Sequence, residues 1–298
     1  MASRLHEFSP QGIANALWAY ATLGHNNTEL FTAAASHTRM RLAQFNQQEL
    51  SLTAWAYATI GQRSPELFDD LASEAMHRVE ELNSQAVSNL AWAYASTGHS
   101  APRFFSTLAR KLQDETDDFH PQGLAITTWS LATAEANVSS ELLEVVAKCA
   151  ANSISEFNQQ GLSNLVWAFA TFNASAPALY DAIANRTRSL VHTFSAQGLS
   201  NLLYAFARQM HQADALFESA IPFAVEQAPN MTSQSMIGFF RSFAVLGYDA
   251  PSLWRPMALF AHERLDEFTA QGLSNLAWAY AVADVQGLEV ARVHSVAV

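Results

Sequence analysis

The segment QGLSNLAWAYA, residues 271–281, carries the strongest structural signal in this chain. It is apolar around most of a helical wheel, yet Gln271, Asn275 and Trp278 follow one another at spacings of four and three, which places them on one stripe of a helix. Close variants occur elsewhere in the chain, namely QGIANALWAYA at 11–21, QAVSNLAWAYA at 85–95 and QGLSNLVWAFA at 160–170. The stripe is therefore a property of an internal repeat.

The period of the repeat is marked by an apolar residue, here called the anchor, that is followed three positions later by Gln. Successive anchors are 37 residues apart, with one step of 38. The anchors are Phe8, Phe45, Leu82, Phe119, Phe157, Phe194, Met231 and Phe268. A fixed period of this length is typical of a solenoid built from helix pairs.

Local signals place two helices in each repeat. The residue after the anchor is a good N-cap in all repeats but the fourth, where it is His120, and an aliphatic residue or Met five positions after the anchor forms a hydrophobic staple. The first helix is predicted to end near a glycine, at Gly24, Gly61, Gly98 and Gly247. The second helix is predicted to begin at a proline, at Pro65, Pro102, Pro177 and Pro251.

No strand-like alternation of apolar and polar residues occurs in the chain. The sequence therefore predicts an all-α fold, a right-handed α-α superhelix or solenoid of about eight helix-pair repeats of 37–38 residues. We expect one continuous array over residues 5–298.

Composition limits the classes of function. Sixteen basic residues stand against 27 acidic ones, and a net charge of −11 lacks the electrostatic footprint of a non-specific nucleic-acid binder. The single cysteine, Cys149, excludes an internal disulfide framework and a cysteine-based zinc site. No apolar run approaches a membrane span. The N-terminal stretch shows neither a signal nor a transit pattern, so the protein is expected to be cytosolic or to lack its targeting segment here.

Motifs for catalysis are not found. The chain has no H-E-x-x-H, no glycine-rich phosphate loop after a strand and no G-x-S-x-G. We therefore expect a protein that is not an enzyme, with no cofactor, no catalytic or metal-binding residues, no small-molecule substrate and no membrane association.

The polar stripe of the first helices, here called the ridge, holds Gln11, Asn15, Trp18 and Thr22 in the first repeat. Two interpretations remain open. The ridge residues can pack between repeats as core, or they can line a binding surface where amides bond base edges and flat groups stack on bases. On the second interpretation the candidate RNA-binding residues are Gln11, Asn15, Asn89, Asn164, Asn201 and Asn275.

An arginine four positions before the anchor is a second candidate. It occurs in four repeats, at Arg4, Arg41, Arg78 and Arg264. A stripe of guanidinium groups there can contact RNA phosphates. Alternatively, the arginines only compensate helix dipoles and keep the surface soluble.

The pattern F-x-x-Q-x-[LI]-[SA]-N-x-x-W-A-[YF]-A-T-x-G resembles octotricopeptide repeats of algal organelle RNA-maturation factors. Similar units occur in proteins with a RAP domain and in repeat subunits of the kinetoplastid mitochondrial RNA-editing substrate-binding complex. The resemblance covers nearly the whole chain. It implies a non-enzymatic α-solenoid that binds single-stranded organellar RNA in a mitochondrion or chloroplast and acts in RNA processing, editing, stability or translation, with other proteins of such a complex as partners.

The alternative function is a protein–protein interaction scaffold that uses the same groove for a peptide or helix. A positively charged groove would favour RNA, whereas a uniformly acidic groove would favour a protein partner.

Overall fold

The computed structural model describes residues 2–283 and comprises two compact units, Met1–Cys149 and Ala150–Val298. All regular elements among the described residues are α-helices or short 3-10 turns, which confirms the all-α fold of helix-pair repeats. The second helix expected for the eighth repeat lies outside the described residues. The continuity of one array over residues 5–298 and its handedness stay predictions.

Unit 1 contains four helix pairs among its described residues. Its first helices are α1 (Pro10–Thr22), α3 (Gln47–Ile60), α5 (Ser84–Thr97) and α7 (Pro121–Thr133). Its second helices are α2 (Thr28–Arg39), α4 (Pro65–His77), α6 (Pro102–Asp114) and α8 (Ser140–Asn152), with Cys149 inside the last of them. The 3-10 turns span Ala2–Glu7, Leu42–Gln44, Val79–Glu81 and Thr116–Asp118.

Unit 2 repeats this order. Its first helices are α9 (Gln159–Phe172), α11 (Ala196–Arg208), α13 (Ser233–Leu246) and α15 (Ala270–Val282). Its described second helices are α10 (Pro177–Leu190), α12 (Asp214–Gln227) and α14 (Pro251–Glu263). The 3-10 turns span Ile154–Glu156, Val191–Thr193, Ala228–Asn230 and Leu265–Glu267. A 3-10 turn before each anchor was not predicted from the sequence.

Helix ends follow the sequence signals. In seven repeats the residue after the anchor accepts a hydrogen bond from a backbone N–H of the first turn, as in α5, where the Asn83 side chain accepts from the Ala86 N–H at 2.9 Å. Only His120 makes no such side-chain cap among the described first helices. The predicted glycines all adopt left-handed backbone at the ends of first helices, with φ of 66° at Gly24, 68° at Gly61, 64° at Gly98 and 71° at Gly247. The predicted prolines begin α4, α6, α10 and α14.

The first helices of neighbouring repeats form the most extensive contacts in each unit. In unit 1, α3 lies between α1 and α5, and α5 lies between α3 and α7. In unit 2, α11 lies between α9 and α13, and α13 lies between α11 and α15. The inner first helices α3, α5, α11 and α13 thus bury two flanks on their siblings, while their own second helices cover the remaining apolar side.

Small residues allow these helices to approach closely. The Ser200 hydroxyl of α11 is buried and donates to the Ser235 carbonyl of α13 at 2.9 Å. A Cβ atom placed on Gly238 would lie 2.0 Å from the Ser200 Oγ. In unit 1 the buried Thr127 hydroxyl of α7 donates to the Ser88 Oγ of α5 at 3.1 Å. The flanks of the first helices are therefore polar as well as apolar, but each hydroxyl named here has a partner in an adjacent repeat.

A buried tyrosine joins consecutive repeats from the other direction. The Tyr57 hydroxyl of α3 donates to the Phe31 carbonyl of α2 at 2.5 Å, which ties the first helix of one repeat to the second helix of the repeat before it. Burial raises the pKa of Tyr57, so the phenol stays a neutral donor at physiological pH. Equivalent bonds run from Tyr94 to the Phe68 carbonyl and from Tyr280 to the Trp254 carbonyl.

We predict that Gly238→Ala destabilises the protein by about 1–2 kcal/mol. Overpacking against Ser200 costs about 1–3 kcal/mol, and the better helix propensity of Ala returns up to about 1 kcal/mol. Chemical denaturation measures the difference in free energy of unfolding. Because the clash is with Oγ, the double variant Ser200→Ala/Gly238→Ala should be more stable than Gly238→Ala alone, and a double variant that is less stable would contradict this account.

We predict that Met210→Gly stabilises the protein by about 1 kcal/mol. Met210 takes the left-handed position of the helix-ending glycines with a φ of 51°, and this backbone is costly for a residue with a side chain. Asn173→Gly at the equivalent position (φ 53°) is the matched control and should change stability less, since Asn tolerates this conformation. Equal gains for the two variants, measured by thermal unfolding, would refute the role assigned to the side chain.

Candidate nucleic-acid interface

The ridge lies on the accessible side of the first helices in both units. The glutamine that begins it is exposed in every repeat: Gln11, Gln48, Gln85, Gln122, Gln160, Gln197, Gln234 and Gln271. Among the asparagine candidates, Asn15 and Asn201 are exposed, whereas Asn89, Asn164 and Asn275 are half-buried. All six amide candidates are thus reachable from solvent, and none lies in the core.

A flat side chain occupies the middle of the ridge in each repeat, and we call this series the aromatic ladder. Trp18 and Trp278 are each 45% exposed, and the other members are half-buried. The Trp55 and Trp92 rings touch between repeats, with centroids 6.3 Å apart. The ladder consists of Trp18, Trp55, Trp92 and Trp129 in unit 1 and of Trp167, Tyr204, Arg241 and Trp278 in unit 2.

The ladder combines the two interpretations that the sequence left open. The Trp55 and Trp92 rings contact each other, as expected for packing between repeats, but every ladder side chain keeps part of its surface accessible. The candidate residues chosen from the sequence were amides and arginines only. Trp18 was assigned to the ridge, but no ring was named as a binding residue. The signal that identifies them is the ridge spacing itself, because Trp18 lies three residues after Asn15 on the same stripe.

Hydrogen bonds within the ridge orient some of the amides. The Gln85 Nε2 donates to the Asn89 Oδ1 at 3.0 Å, four residues along α5. Each side chain retains its other polar atom, the Gln85 oxygen and the Asn89 amino group. An acceptor and a donor therefore stand one helical turn apart beside Trp92, which is an arrangement that can bond the edge of a base.

Acidic residues are nearly absent from this surface. Among the described first helices the only carboxylate belongs to Glu49, which accepts the backbone N–H of Asn46 at 2.8 Å in a capping box. The same helices carry two arginines, Arg208 and Arg241. All other described carboxylates lie on second helices or connecting segments. The net charge of −11 is thus a property of the rest of the chain, and it does not exclude an anionic ligand at the ridge.

An open cavity adjoins the ridge in unit 1. Its volume is about 640 Å³, and it lies where α3 and α5 end and α4 begins. Ser96 belongs to both the ridge and the cavity wall, and Arg63 and His99 contribute polar groups to the lining. The His99 Nε2 is 2.9 Å from the Asp69 Oδ1, which fixes the ring against the second helix of the preceding repeat. The cavity extends the accessible polar surface past the C-terminal end of the ridge.

The candidate arginines four positions before the anchors make bonds inside the protein. The Arg78 Nη1 donates to the Phe45 carbonyl of the preceding repeat at 2.7 Å, and its Nη2 lies 2.6 Å from the Glu81 carboxylate. The hydrogen bond from Arg78 lowers the pKa of Glu81. The related bonds join Arg41 to the Phe8 carbonyl and Gln44, Arg264 to the Pro229 carbonyl and Glu267, and Arg4 to Glu7.

These bonds favour a structural role that the sequence did not suggest. In Arg41, Arg78 and Arg264 the guanidinium group clamps two repeats together through a backbone carbonyl. The same fork also bonds the residue three positions later, which restrains the 3-10 turn before the anchor. Phosphate binding by Arg4, Arg41, Arg78 and Arg264 stays a prediction, and it would require the guanidinium groups to bond RNA in addition to these partners.

The described residues, 2–283, were compared with the requirements of a metal site and of a membrane span. No cluster of three or more His, Cys, Asp or Glu side chains in this span is arranged to hold a metal ion. None of its helices combines the length and the apolar content needed to cross a bilayer.

We predict that Arg78→Gln lowers the free energy of unfolding by about 1 kcal/mol, because a charge-assisted hydrogen bond to a partly buried carbonyl is lost. The Arg78 side chain is 21% exposed. Arg39→Gln is the matched control, since Arg39 and Asp70 form an ion pair between repeats in which both side chains are 42% exposed, and such pairs contribute about 0–1 kcal/mol. Urea unfolding compares the two variants. A loss at Arg78 no larger than at Arg39 would argue against the clamp.

Comparison with known proteins gives one family. The sequence profile of the RNA-editing substrate-binding complex 6 protein matches the chain twice, over residues 2–152 and 149–289. No curated protein shows significant similarity to the chain. The match agrees with the resemblance to repeat subunits of RNA-editing complexes, while the resemblance to octotricopeptide and RAP-type proteins stays a prediction. Since the two matches together cover most of its length, the chain belongs to the RNA-editing substrate-binding complex 6 protein family.

Proposed function

We propose that this chain is a non-enzymatic protein that holds single-stranded RNA along the ridge. The observation that carries this proposal is the aromatic ladder: a partly exposed flat side chain recurs once per repeat on helices that contain a single carboxylate among the described residues. Such a series offers one stacking position per repeat.

The chemistry of the ridge suits an unpaired strand. Stacking of a base on an aromatic side chain contributes about 1–3 kcal/mol and tolerates any base, because every base has a π-face. The neighbouring amides can add hydrogen bonds to base edges, which are accessible only when the strand is single. Duplex RNA hides those faces and edges, so the ridge is expected to discriminate against it.

The family match supports a proposal about the partners and the location of this chain. An RNA-editing substrate-binding complex is defined by its name as an assembly that binds editing substrates, so RNA and other proteins of the complex are the proposed partners of this chain. The proposed location is the mitochondrion, in keeping with the resemblance to mitochondrial RNA-editing subunits. The family match gives a chloroplast location no support.

A peptide or helix from a partner protein is the competing occupant of the same ridge. Half-exposed indoles on a surface with few charged groups can bind apolar side chains as well as bases, so the ladder does not separate the two by itself. Exposed acidic residues on the second helices, such as Glu66 and Asp69 of α4, provide a different surface that can bind basic proteins of the complex. RNA on the ridge and proteins on the second helices are therefore compatible.

We predict that Trp55→Ala/Trp92→Ala weakens binding of a labelled oligouridylate by at least about tenfold, because two stacking positions of about 1–3 kcal/mol each are lost. Fluorescence anisotropy at low salt measures the Kd of the full chain. Trp55→Phe/Trp92→Phe keeps two rings and should retain most of the affinity. Leu259→Ala removes an exposed apolar side chain from the second helix α14 and should have no effect.

Two results would contradict the proposal. If the full chain fails to bind single-stranded RNA pools in a salt-sensitive manner, RNA binding by the ridge is refuted. If RNA binds but the double alanine variant has the same Kd as the parent chain, the strand lies elsewhere on the protein. If, in addition, the double alanine variant binds a partner peptide as the parent chain does, the ladder binds neither RNA nor peptide.

A further inference from the structure

The positive charge on the ridge is confined to one place. The described first helices of unit 1 contain no Lys or Arg, whereas those of unit 2 contain Arg208 in α11 and Arg241 in α13, which are packed against each other. Arg241 takes the ladder position that holds Trp in most repeats. Arg208 takes the last ridge position, where the first repeat has Thr22.

Both arginines flank the same ring. The Arg241 guanidinium carbon lies 5.3 Å from the centroid of the Tyr204 ring, within the range of a cation–π contact. Arg208 follows Tyr204 by four residues on α11, so the two side chains share one face of the helix. Tyr204 is thus a ladder ring with a cation over it and a second cation one turn away.

The bonding of these two arginines differs from that of the clamps described above. Arg78 and its equivalents direct their guanidinium groups at carbonyls and carboxylates. Arg208 and Arg241 make no hydrogen bond or ion pair with any described residue, and the Arg241 Nε is buried without an acceptor. A buried donor without a partner is unfavourable by about 1–3 kcal/mol, so a water molecule or a ligand that accepts from it would be stabilising.

The seventh repeat is built to admit this arginine. Its ridge has Gly238 where other repeats have Asn, Leu or Ile, so no side chain stands on the stripe one turn before Arg241. The close approach of α11 and α13 at Ser200 and Gly238 brings the Arg241 side chain over the neighbouring ring. The seventh repeat therefore supplies a cation without an ionic partner and an open ridge position, and the sixth repeat supplies the ring beneath that cation.

We infer that Arg208 and Arg241 bind phosphate groups of the RNA strand and provide the salt-dependent part of its binding. This inference rests on the proposed function and gives the rings and the arginines different roles in RNA binding. The rings of the ladder stack on bases, and the two arginines of unit 2 hold the backbone. A planar guanidinium that already lies on a ring can bond two phosphate oxygens while it keeps the ring contact.

The test is the salt dependence of oligouridylate binding by the full chain. For single strands, log K falls with log salt concentration by about 0.7 per phosphate that is neutralised. Arg208→Gln/Arg241→Gln should therefore reduce the magnitude of the slope by about 1.4. Arg255→Gln removes the same charge from the exposed surface of the second helix α14 and should leave the slope unchanged. Trp92→Ala should weaken binding at all salt concentrations without a change of slope.

The controls separate three outcomes. A parental chain that binds no RNA refutes the proposed function as a whole. Binding that depends on the rings, with the parental slope kept in the double Gln variant, overturns this inference alone. If Arg241→Gln lowers the unfolding midpoint below the assay temperature, Arg208→Gln by itself should still reduce the slope by about 0.7, and Arg241→Lys should keep the slope because the charge remains. A purely structural role would change the unfolding midpoint and not the slope.

Discussion

Each inner first helix must be buried against the first helices of the adjacent repeats, and this requirement determines the arrangement of the other elements. A helix as apolar as α5 cannot stand at a surface, and one partner helix covers only one side of it. The two remaining flanks are covered by α3 and α7, whose surfaces repeat its own. Close approach then requires Ala, Ser or Gly on the flanks, and it allows polar groups such as Ser200 there only because the next repeat supplies an acceptor at 2.9 Å.

That packing leaves one stripe of each first helix partly accessible to solvent, and the ridge occupies it. The position of the candidate site is therefore a consequence of the fold, since any stacked array of these helix pairs exposes the same stripe in every repeat. What is specific to this chain is the choice of side chains there. Large flat side chains recur at its middle position, and no carboxylate lies on the stripe within the described residues.

The sequence predicted the parts of the structure that local chemistry determines. Caps such as Asn83, the left-handed glycines and the prolines that begin second helices were all placed correctly, because each depends on a few neighbouring residues. It did not predict that Arg78 reaches a carbonyl 33 residues away, since that contact exists only once repeats are stacked. The left-handed Glu135 and Met210 were also beyond local rules, because only the surrounding repeats hold them in a conformation that they disfavour.

The distribution of arginines makes an acidic chain compatible with the proposed anionic ligand. Packed helices lie about 8–10 Å apart, and the Debye length at physiological salt is about 8 Å, so carboxylates on exposed second helices act weakly on the ridge. The electrostatic potential at the ridge is then determined mainly by the charges on the first helices. Arg41 and Arg78 belong instead to connecting segments, and their guanidinium groups bond carbonyls and Gln44 or Glu81. Net charge is thus a poor guide to ligand charge in a layered repeat protein, and the arginines that lack an internal partner are the informative ones.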